Sequence, residues 1–419
     1  MITTEENRRI SEVGPGTLMG TLLRRYWHPV AAVAELDDQP VKALRLMGED
    51  LVLYRDHAGT YGLLGRHCPH RRADLSYGWV EKCGLRCSYH GWLFDEAGHC
   101  TEQPFEEVVN PGSRFRRGVK AVTYKAEAKA GLLWAYLGPD AAPLVPTWEP
   151  FTWSDGFVQI VTSEVPCNWL QSQDNSIDPV HFEWLHETWS RRLAGMRDYV
   201  APRHCKLAFD EFDYGITYRR VRDNSDETSE LWTIGRVCLW PNALFTGGHF
   251  EWRVPIDDEN TLSVGWFFEP VPTDRRPYHQ ERIPYWSSAV QDPATGRRVT
   301  SHIMNQDFVA WVGQGRLSDR EEEHPGRSDR GVLLMRRRLL EEAEVVAAGG
   351  EPKGLLRDSR RNVCVVLPIV GRDGFLRGPE REALVQELAR TQEAYGGPFR
   401  WLAGQPESVR KEYEKAMGI

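Results

Sequence analysis

Four residues in one short stretch have the types and spacing for redox chemistry. The chain reads Cys68-Pro69-His70, then sixteen residues, then Cys87-Ser88-Tyr89-His90-Gly91-Trp92. C-x-H followed by C-x-x-H offers two thiolates and two imidazoles. That is the donor set of a Rieske [2Fe–2S] centre, in which two cysteines hold one iron and two histidines hold the other. Structural zinc also takes Cys₂His₂, but its usual spacing pairs cysteine with cysteine and histidine with histidine, not one of each in both arms. Cys83 makes a C-x₃-C pair with Cys87, yet only Cys87 has a histidine three residues on, and His67 and His99 sit at no ligand spacing. The expected cluster ligands are therefore Cys68, His70, Cys87 and His90.

A second constellation follows at Asn175-Ser-Ile-Asp178-Pro-Val-His181-Phe-Glu-Trp-Leu-His186. Two histidines and one carboxylate form the facial triad of non-haem Fe(II) oxygenases, which leaves positions open for O₂ and substrate. H-x₄-H alone is a weak signal, since two histidines on a helix surface give the same pattern. It is also geometrically awkward, because residues five apart diverge by about 140° on a regular α-helix. The spacing predicts a π-type turn or a helix end between His181 and His186.

These two sites need elements to hold them. At 419 residues the chain exceeds one average domain. Net charge −8 argues against general affinity for nucleic acid or anionic membranes. Residues 1–9 are polar and carry no signal-peptide core, and no apolar run approaches a membrane span, so a soluble, cytoplasmic protein is expected. Eight cysteines without a secretory signal suggest thiols or metal ligands rather than disulfides.

Gly14-Pro15-Gly16-Thr17 reads as a turn that caps a helix within 14–27. From Val41 to Leu137 short strands alternate with turns such as Asp56–Gly59 and Asp95–Gly98, an all-β module carrying both cluster loops. The proline-rich stretch near 138–156 reads as a linker. Beyond it a strand is expected at 157–165, a helix over Asn168–Leu185, strands at Phe212–Val221, Leu231–Leu239 and Leu262–Phe268, and a helix at Ile303–Val312. A long helix capped by Asp329 should end at Gly349-Gly350, and Glu380–Tyr395 reads as an amphipathic helix. The expected organisation is a helical segment 1–40 packing on the catalytic domain, a cluster domain 41–140, a linker 141–156 and a catalytic domain 157–419.

Taken together, the two metal motifs resemble the oxygenase component of Rieske non-haem iron oxygenases, in the phthalate dioxygenase-like branch. Gly14-Pro-Gly-Thr, Leu22-Leu-Arg-Arg-Tyr-Trp-His-Pro-Val30, Gly48-Glu-Asp-Leu and Gly313-Gln-Gly-Arg-Leu-Ser-Asp-Arg320 carry the same likeness over nearly the whole chain. The resemblance implies an α+β fold: an N-terminal all-β Rieske domain followed by a helix-grip (START-like) catalytic domain with an antiparallel sheet and helices. It implies Asp307, in Asn305-Gln306-Asp307-Phe308, as the third iron ligand. Chemistry alone does not select it among 60 acidic residues, and Asp319, Glu321 and Asp329 are rivals on that ground. It also implies that Asp178 bridges His181 to a cluster histidine of a neighbouring subunit within a homotrimer; His90 is the expected histidine, with His70 as the alternative. A carboxylate can accept an imidazole N–H on each side, whereas a plain local cap before Pro179 is the alternative role. Asn175 is expected near the iron without binding it firmly.

A Rieske centre passes one electron at a time, and the chain has no nicotinamide fingerprint, flavin motif or plant-type ferredoxin run. A separate NAD(P)H-dependent reductase or ferredoxin is the implied partner. The chain is also similar to O-demethylases acting on lignin-derived methoxylated biaryl acids. That likeness implies monooxygenation of a methoxy group to a hemiacetal that collapses to a phenol and formaldehyde, within aromatic compound catabolism and lignin degradation. Ring cis-dihydroxylation of an aromatic carboxylate such as a phthalate is the alternative, and a Rieske electron carrier without oxygenase activity is the alternative of another class. Arg197, Arg203, Arg236 and Arg253 are candidates to pair with a substrate carboxylate.

Overall fold

The structure is a computed structural model that describes residues 2–376, 381–383, 386 and 401–419. The expected helix Glu380–Tyr395 lies almost entirely outside the described residues. Architecture is α+β. Sequential strands Val41–Leu46, Glu49–Arg55 and Tyr61–Gly65 form an antiparallel meander, extended by Thr123–Lys129, Leu132–Tyr136 and His28–Ala32 into a six-stranded sheet. The two expected turns close as hairpin loops, with Gly59 N–H donating to Asp56 O and Gly98 N–H to Asp95 O. Both glycines hold positive φ, which L side chains rarely adopt. A small four-stranded sheet, from Trp79–Val80 to Cys100–Glu102, carries the second cluster loop.

The N-terminal 40 residues divide between the two halves of the molecule, contrary to the single helical segment expected. Helices Thr4–Ser11 and Leu18–Leu23 pack on the helix Arg330–Ala347 of the catalytic half, and Thr17 caps the second by accepting from Gly20 N–H. The strand His28–Ala32 instead joins the cluster-domain sheet beside Leu132–Tyr136. The proline-rich linker is not a free tether. Leu144, Thr147 and Glu149 hydrogen-bond residues 356, 362 and 365, which pins it across the catalytic half.

The catalytic half holds an eight-stranded sheet in which His249–Pro255, Thr261–Pro270 and Gly156–Val165 lie side by side, the last flanked by the edge strand Tyr285–Ser287. Side chains alternate between its faces. Phe250, Trp252 and Trp266 pack against Phe151 of the linker and Trp134 of the cluster domain, with Trp134 and Trp252 centroids 5.3 Å apart. The opposite face, with Val161 and Phe267, meets Met304, Phe308 and Trp311 at i, i+4 and i+7 on the helix Ile303–Gly313.

Three expected elements differ in ways with physical causes. The helix expected over Asn168–Leu185 stops at Ile177, because Asp178 is extended (ψ 108°) ahead of Pro179. In the segment expected as a strand over Leu231–Leu239, Glu230–Thr233 is a helical turn, and the strand starts at Arg236 after Gly235 at φ 88°. Asp329 stands at the helix N-cap but turns its carboxylate back to Gly326 N–H. The other end is as expected, with Gly350 N–H bonding Val345 O around Gly349 at φ 86°.

Phe250 sits at the centre of the aromatic layer that joins the halves, 4.1 Å from Phe245 and in contact with Phe151, Trp252 and Trp266. Phe250→Ala is expected to cost about 3–5 kcal/mol of stability, read as a lower urea midpoint for the loss of tryptophan fluorescence.

Candidate active site

Two loops bring the cluster residues together. Cys68 N–H donates to Ala73 O and Arg72 N–H to Cys68 O, with Arg72 at φ 64°. In the second loop Cys87 N–H donates to Trp92 O and Gly91 N–H to Cys87 O. Gly91 holds φ 75°, and a Cβ there would meet the Pro104 ring at 3.1 Å. Both thiols are buried, while His70 and His90 are half-exposed with ring centroids 4.5 Å apart. His70 stacks on Trp92 at 4.3 Å and Tyr89 leans on His90. The two thiols share a hydrogen bond. It draws Cys87 down to about 6, helped by the Tyr89 and His90 amides, and pushes Cys68 up. Two adjoining sulfurs, one already acidic, and two converging imidazoles fit the donor set of a [2Fe–2S] cluster. Cys83 and His67 are exposed, and His99 faces Asp95.

The second site gathers three elements. The helix Trp169–Ile177 is capped by Asn168, which accepts from Leu170 N–H. One face of this helix stitches it to Ile303–Gly313, where Gln171 donates to Trp311 O and Gly315 O, and Asn175 donates to Asp307 Oδ1 at 3.3 Å. After the break at Pro179, residues Phe182–Thr188 form a π-helix with His181 at its N-cap. Hydrogen bonding from i to i+5 places residues five apart on one side. His181 and His186 accordingly face each other with centroids 5.0 Å apart, as the H-x₄-H spacing required.

This irregular helix is held from outside by its own carboxylates. Glu183 accepts from the backbone N–H of His204 and lies 2.6 Å from that residue's ring Nδ1. Glu187 takes Arg222 at 2.8 Å and the Tyr199 hydroxyl at 2.5 Å.

Asp307 arrives from the facing helix. Its Oδ1 lies 3.2 Å from His186 Nε2 and 3.8 Å from His181 Nε2. Donor atoms from His181, His186 and Asp307 all fall within 4.8 Å of one another, and Asp307 is buried. Two imidazoles and one carboxylate at that spacing fit a mononuclear iron with open positions. Burial works against a charged His186, but Asp307 beside it prevails and raises the imidazole's pKa. The other ring nitrogen, His186 Nδ1, lies 3.2 Å from Gln306 Oε1. Asp178 caps Val180 N–H at 2.8 Å and keeps its second oxygen 3.6 Å from His181 Nδ1, so the local cap and the histidine-facing role coexist. Burial opposes its charge, yet the proximity of His181 holds its carboxyl below the usual range. Asp319, Glu321 and Asp329 are not among the three converging donors.

A cavity of about 230 Å³ opens onto these three residues. Its apolar lining includes Phe182, Leu244, Ile303, Met304 and Trp401. Four arginines also reach it, namely Arg220, Arg222, Arg236 and Arg253. Arg222 is committed to Glu187 and Arg253 to Glu251. Arg220 and Arg236 both lie over the Phe182 ring, at 4.8 and 5.4 Å, and neither has a carboxylate within 4.0 Å among the described residues. Their Nε groups are buried without a hydrogen-bond partner. Burial, followed by repulsion from Arg236, lowers Arg220 to about 9.

Of the arginines singled out in the sequence, Arg236 and Arg253 reach the cavity, whereas Arg197 and Arg203 are exposed. Arg220 was missed. Its only sequence signal is its place in Gly215–Arg222, where Tyr218, Arg220 and Arg222 share the cavity face. Also missed was the polar alternation His249, Glu251, Arg253 in a strand whose intervening residues are Phe250 and Trp252.

Residues 26–112 match the model of the Rieske [2Fe-2S] domain. Over 419 residues the chain is 53% identical to the 5,5'-dehydrodivanillate O-demethylase oxygenase subunit of Sphingobium sp. (strain SYK-6), covering 100% of this chain and 98% of that protein. It is 31% identical to the phthalate 4,5-dioxygenase oxygenase subunit of Pseudomonas putida, over 89% of this chain and 93% of that one. In fold it matches NdmA of Pseudomonas putida CBB5 with a TM-score of 0.56 and 22% identity, over 80% and 94% of the two chains. No helix among the described residues is long and apolar enough to cross a membrane. With an N-terminal Rieske domain, a catalytic half that joins two histidines to a carboxylate, and full-length relatives named as oxygenase subunits, the chain belongs to the oxygenase subunits of the Rieske non-haem iron oxygenases.

Proposed function

We propose that this oxygenase removes the methyl group of a methoxylated aromatic or biaryl acid, releasing formaldehyde and a phenol. The observation that carries the acid is the Arg220–Arg236 pair. Arg220 is buried and Arg236 half-buried, and two guanidiniums that share a cavity without a carboxylate partner among the described residues are a receptor for an anion. Such charges are costly to bury unpaired, and a substrate carboxylate relieves both. Demethylation is supported by the O-demethylase name of the relative that matches the whole chain at 53% identity. The same arginines would serve cis-dihydroxylation of a phthalate-like acid, the reaction named for the 31% identical relative.

In this reading His181, His186 and Asp307 hold the mononuclear iron, and Cys68, His70, Cys87 and His90 hold the cluster. Iron held there would supply O₂ activation, and a cluster held by the four cysteine and histidine residues would supply electrons drawn from a separate reductase or ferredoxin. The chain's own residues do the positioning. Arg220 and Arg236 anchor the carboxylate, Phe182 supports both guanidiniums, and the apolar lining keeps water from the reacting group. Asn175 steadies Asp307 through its amide. Asp178 orients His181 and turns towards a second, outer cavity of about 360 Å³. A homotrimer in which a neighbouring copy brings its His90 to Asp178 there is the assembly we propose, and the cytoplasm is the proposed compartment. Within one chain, His70 and His90 pack on each other, Tyr89 and Trp92, all residues of their own domain.

Three outcomes test these assignments. Turnover of a methoxylated aromatic acid should release formaldehyde and phenol one-to-one with O₂ consumed, whereas a diol without formaldehyde would reject demethylation. Asp307→Ala should lose turnover and bound mononuclear iron while the visible spectrum of the cluster stays unchanged. Arg220→Met or Arg236→Met should raise KM for the acid roughly 10- to 100-fold, as expected for losing a charged hydrogen bond. Each change should matter far less for the corresponding methyl ester, and equal losses for acid and ester would remove the arginines from carboxylate binding.

A further inference from the structure

The iron triad and the arginine pair leave one polar wall of the cavity without a task. The strand His249–Pro255 sends Phe250 and Trp252 into the aromatic core and His249, Glu251 and Arg253 to the cavity. These three are buried, at 4%, 4% and 1% exposure, and they are linked in series. Arg253 Nη2 lies 2.5 Å from Glu251 Oε2, and Glu251 Oε1 lies 2.8 Å from His249 Nε2. Across the Gly247-Gly248 turn, Thr246 Oγ1 lies 2.9 Å from His249 Nδ1. Thr246 also lines the cavity and is the only half-exposed member of the series.

The series has one polarity. Burial opposes the charge on Glu251, but the Arg253 charge and the hydrogen bond from His249 hold its carboxyl down to about 2. An ionised carboxylate only accepts, so His249 Nε2 carries the ring proton. Arg253 meets the other oxygen of Glu251, so one ring proton, on Nε2, completes the carboxylate's partners. The imidazole Nδ1 then only accepts, and the Thr246 hydroxyl donates to it. Thr246 Oγ1 is left with lone pairs alone to offer the cavity.

An aromatic acid anchored by its carboxylate shows the rest of the lining its ring substituents. A methoxy oxygen cannot donate to Thr246, whereas a phenolic hydroxyl can. We propose that Thr246, fixed as an acceptor by His249 and Glu251, binds a phenolic O–H of the substrate, so that the enzyme selects acids carrying a free phenol as well as the methoxy group. This rests on the methoxylated-acid reading of the same cavity. Thr246 touches the substrate, and His249, Glu251 and Arg253 are positioning residues behind it.

The test measures binding without turnover. Iron-loaded protein without reductase is titrated calorimetrically with 4-hydroxy-3-methoxybenzoate and with 3,4-dimethoxybenzoate. Wild type should bind the phenol roughly 10- to 100-fold more tightly, the effect of leaving a buried acceptor unpaired. Thr246→Val should shrink that preference to within about threefold, with the dimethoxy acid bound at least as tightly as by wild type because no acceptor is left unpaired, which also shows that the site is intact. Thr246→Ser should restore the preference. A preference that survives Thr246→Val, or a wild type that binds both acids equally or neither, overturns the proposal. Failure to produce formaldehyde would sink demethylation without touching the phenol preference, so the two readings fail separately.

Discussion

Residues five apart on an α-helix point about 140° from one another, and the catalytic half depends on the backbone that cancels this divergence. Between His181 and His186 the chain is π-helical, and both imidazoles turn to the same side. Such a turn is less favourable than regular helix and survives where its surroundings hold it. Pro179 releases the chain from the preceding helix, while Glu183 and Glu187 tie the π-helix to His204, Arg222 and Tyr199. Asp307 then meets both rings from a helix whose position is set by Gln171 and Asn175. Sheet, linker and N-terminal helices all serve to keep those segments in register.

Charge organises the cavity as firmly as geometry does. Among the described residues, the four cavity arginines divide into two with a carboxylate partner and two without. Arg222 and Arg253 are neutralised within the protein, whereas Arg220 and Arg236 are left to repel each other over one phenylalanine ring. The unpaired group reads as recognition, because an anion from outside completes it. The paired group reads as fixed polarity, because Glu251 cannot change its role while Arg253 faces it. The two sets lie in one cavity with the triad, so substrate orientation and reactivity share a lining.

Electron delivery poses the complementary problem. The cluster loops project half-exposed histidines from the all-β half, and Asp178 stands half-exposed beside His181 at the edge of an outer cavity. Asp178 satisfies a local amide with one oxygen and leaves the other toward His181. A carboxylate in that posture faces the imidazole and remains available to a partner, and this is the physical ground for the proposed contact between copies.

The sequence by itself determined the chemistry that spacing encodes. C-x-H with C-x-x-H names a cluster because two residue types at fixed short separations leave little geometric freedom. H-x₄-H announced a π-type turn or a helix end, because no regular helix puts those residues together, and the structure takes the π-helix. Strand alternation and hairpin glycines made the all-β half legible, since period-two patterning and positive φ are local properties. What only tertiary structure decided was everything that depends on long-range convergence. Asp307 stands 121 positions beyond His186 (307 − 186), and nothing local separates it from Asp319 or Glu321. His28–Ala32 joined the cluster-domain sheet although it follows two helices that pack on the catalytic half, because strand pairing is settled by the partner edge. Arg220 and Arg253 look alike in sequence and differ in pairing because one strand places a glutamate two residues from its arginine, on the same face, and the other does not. Whether a buried charge is satisfied is a property of what surrounds it, and the fold alone assembles those surroundings.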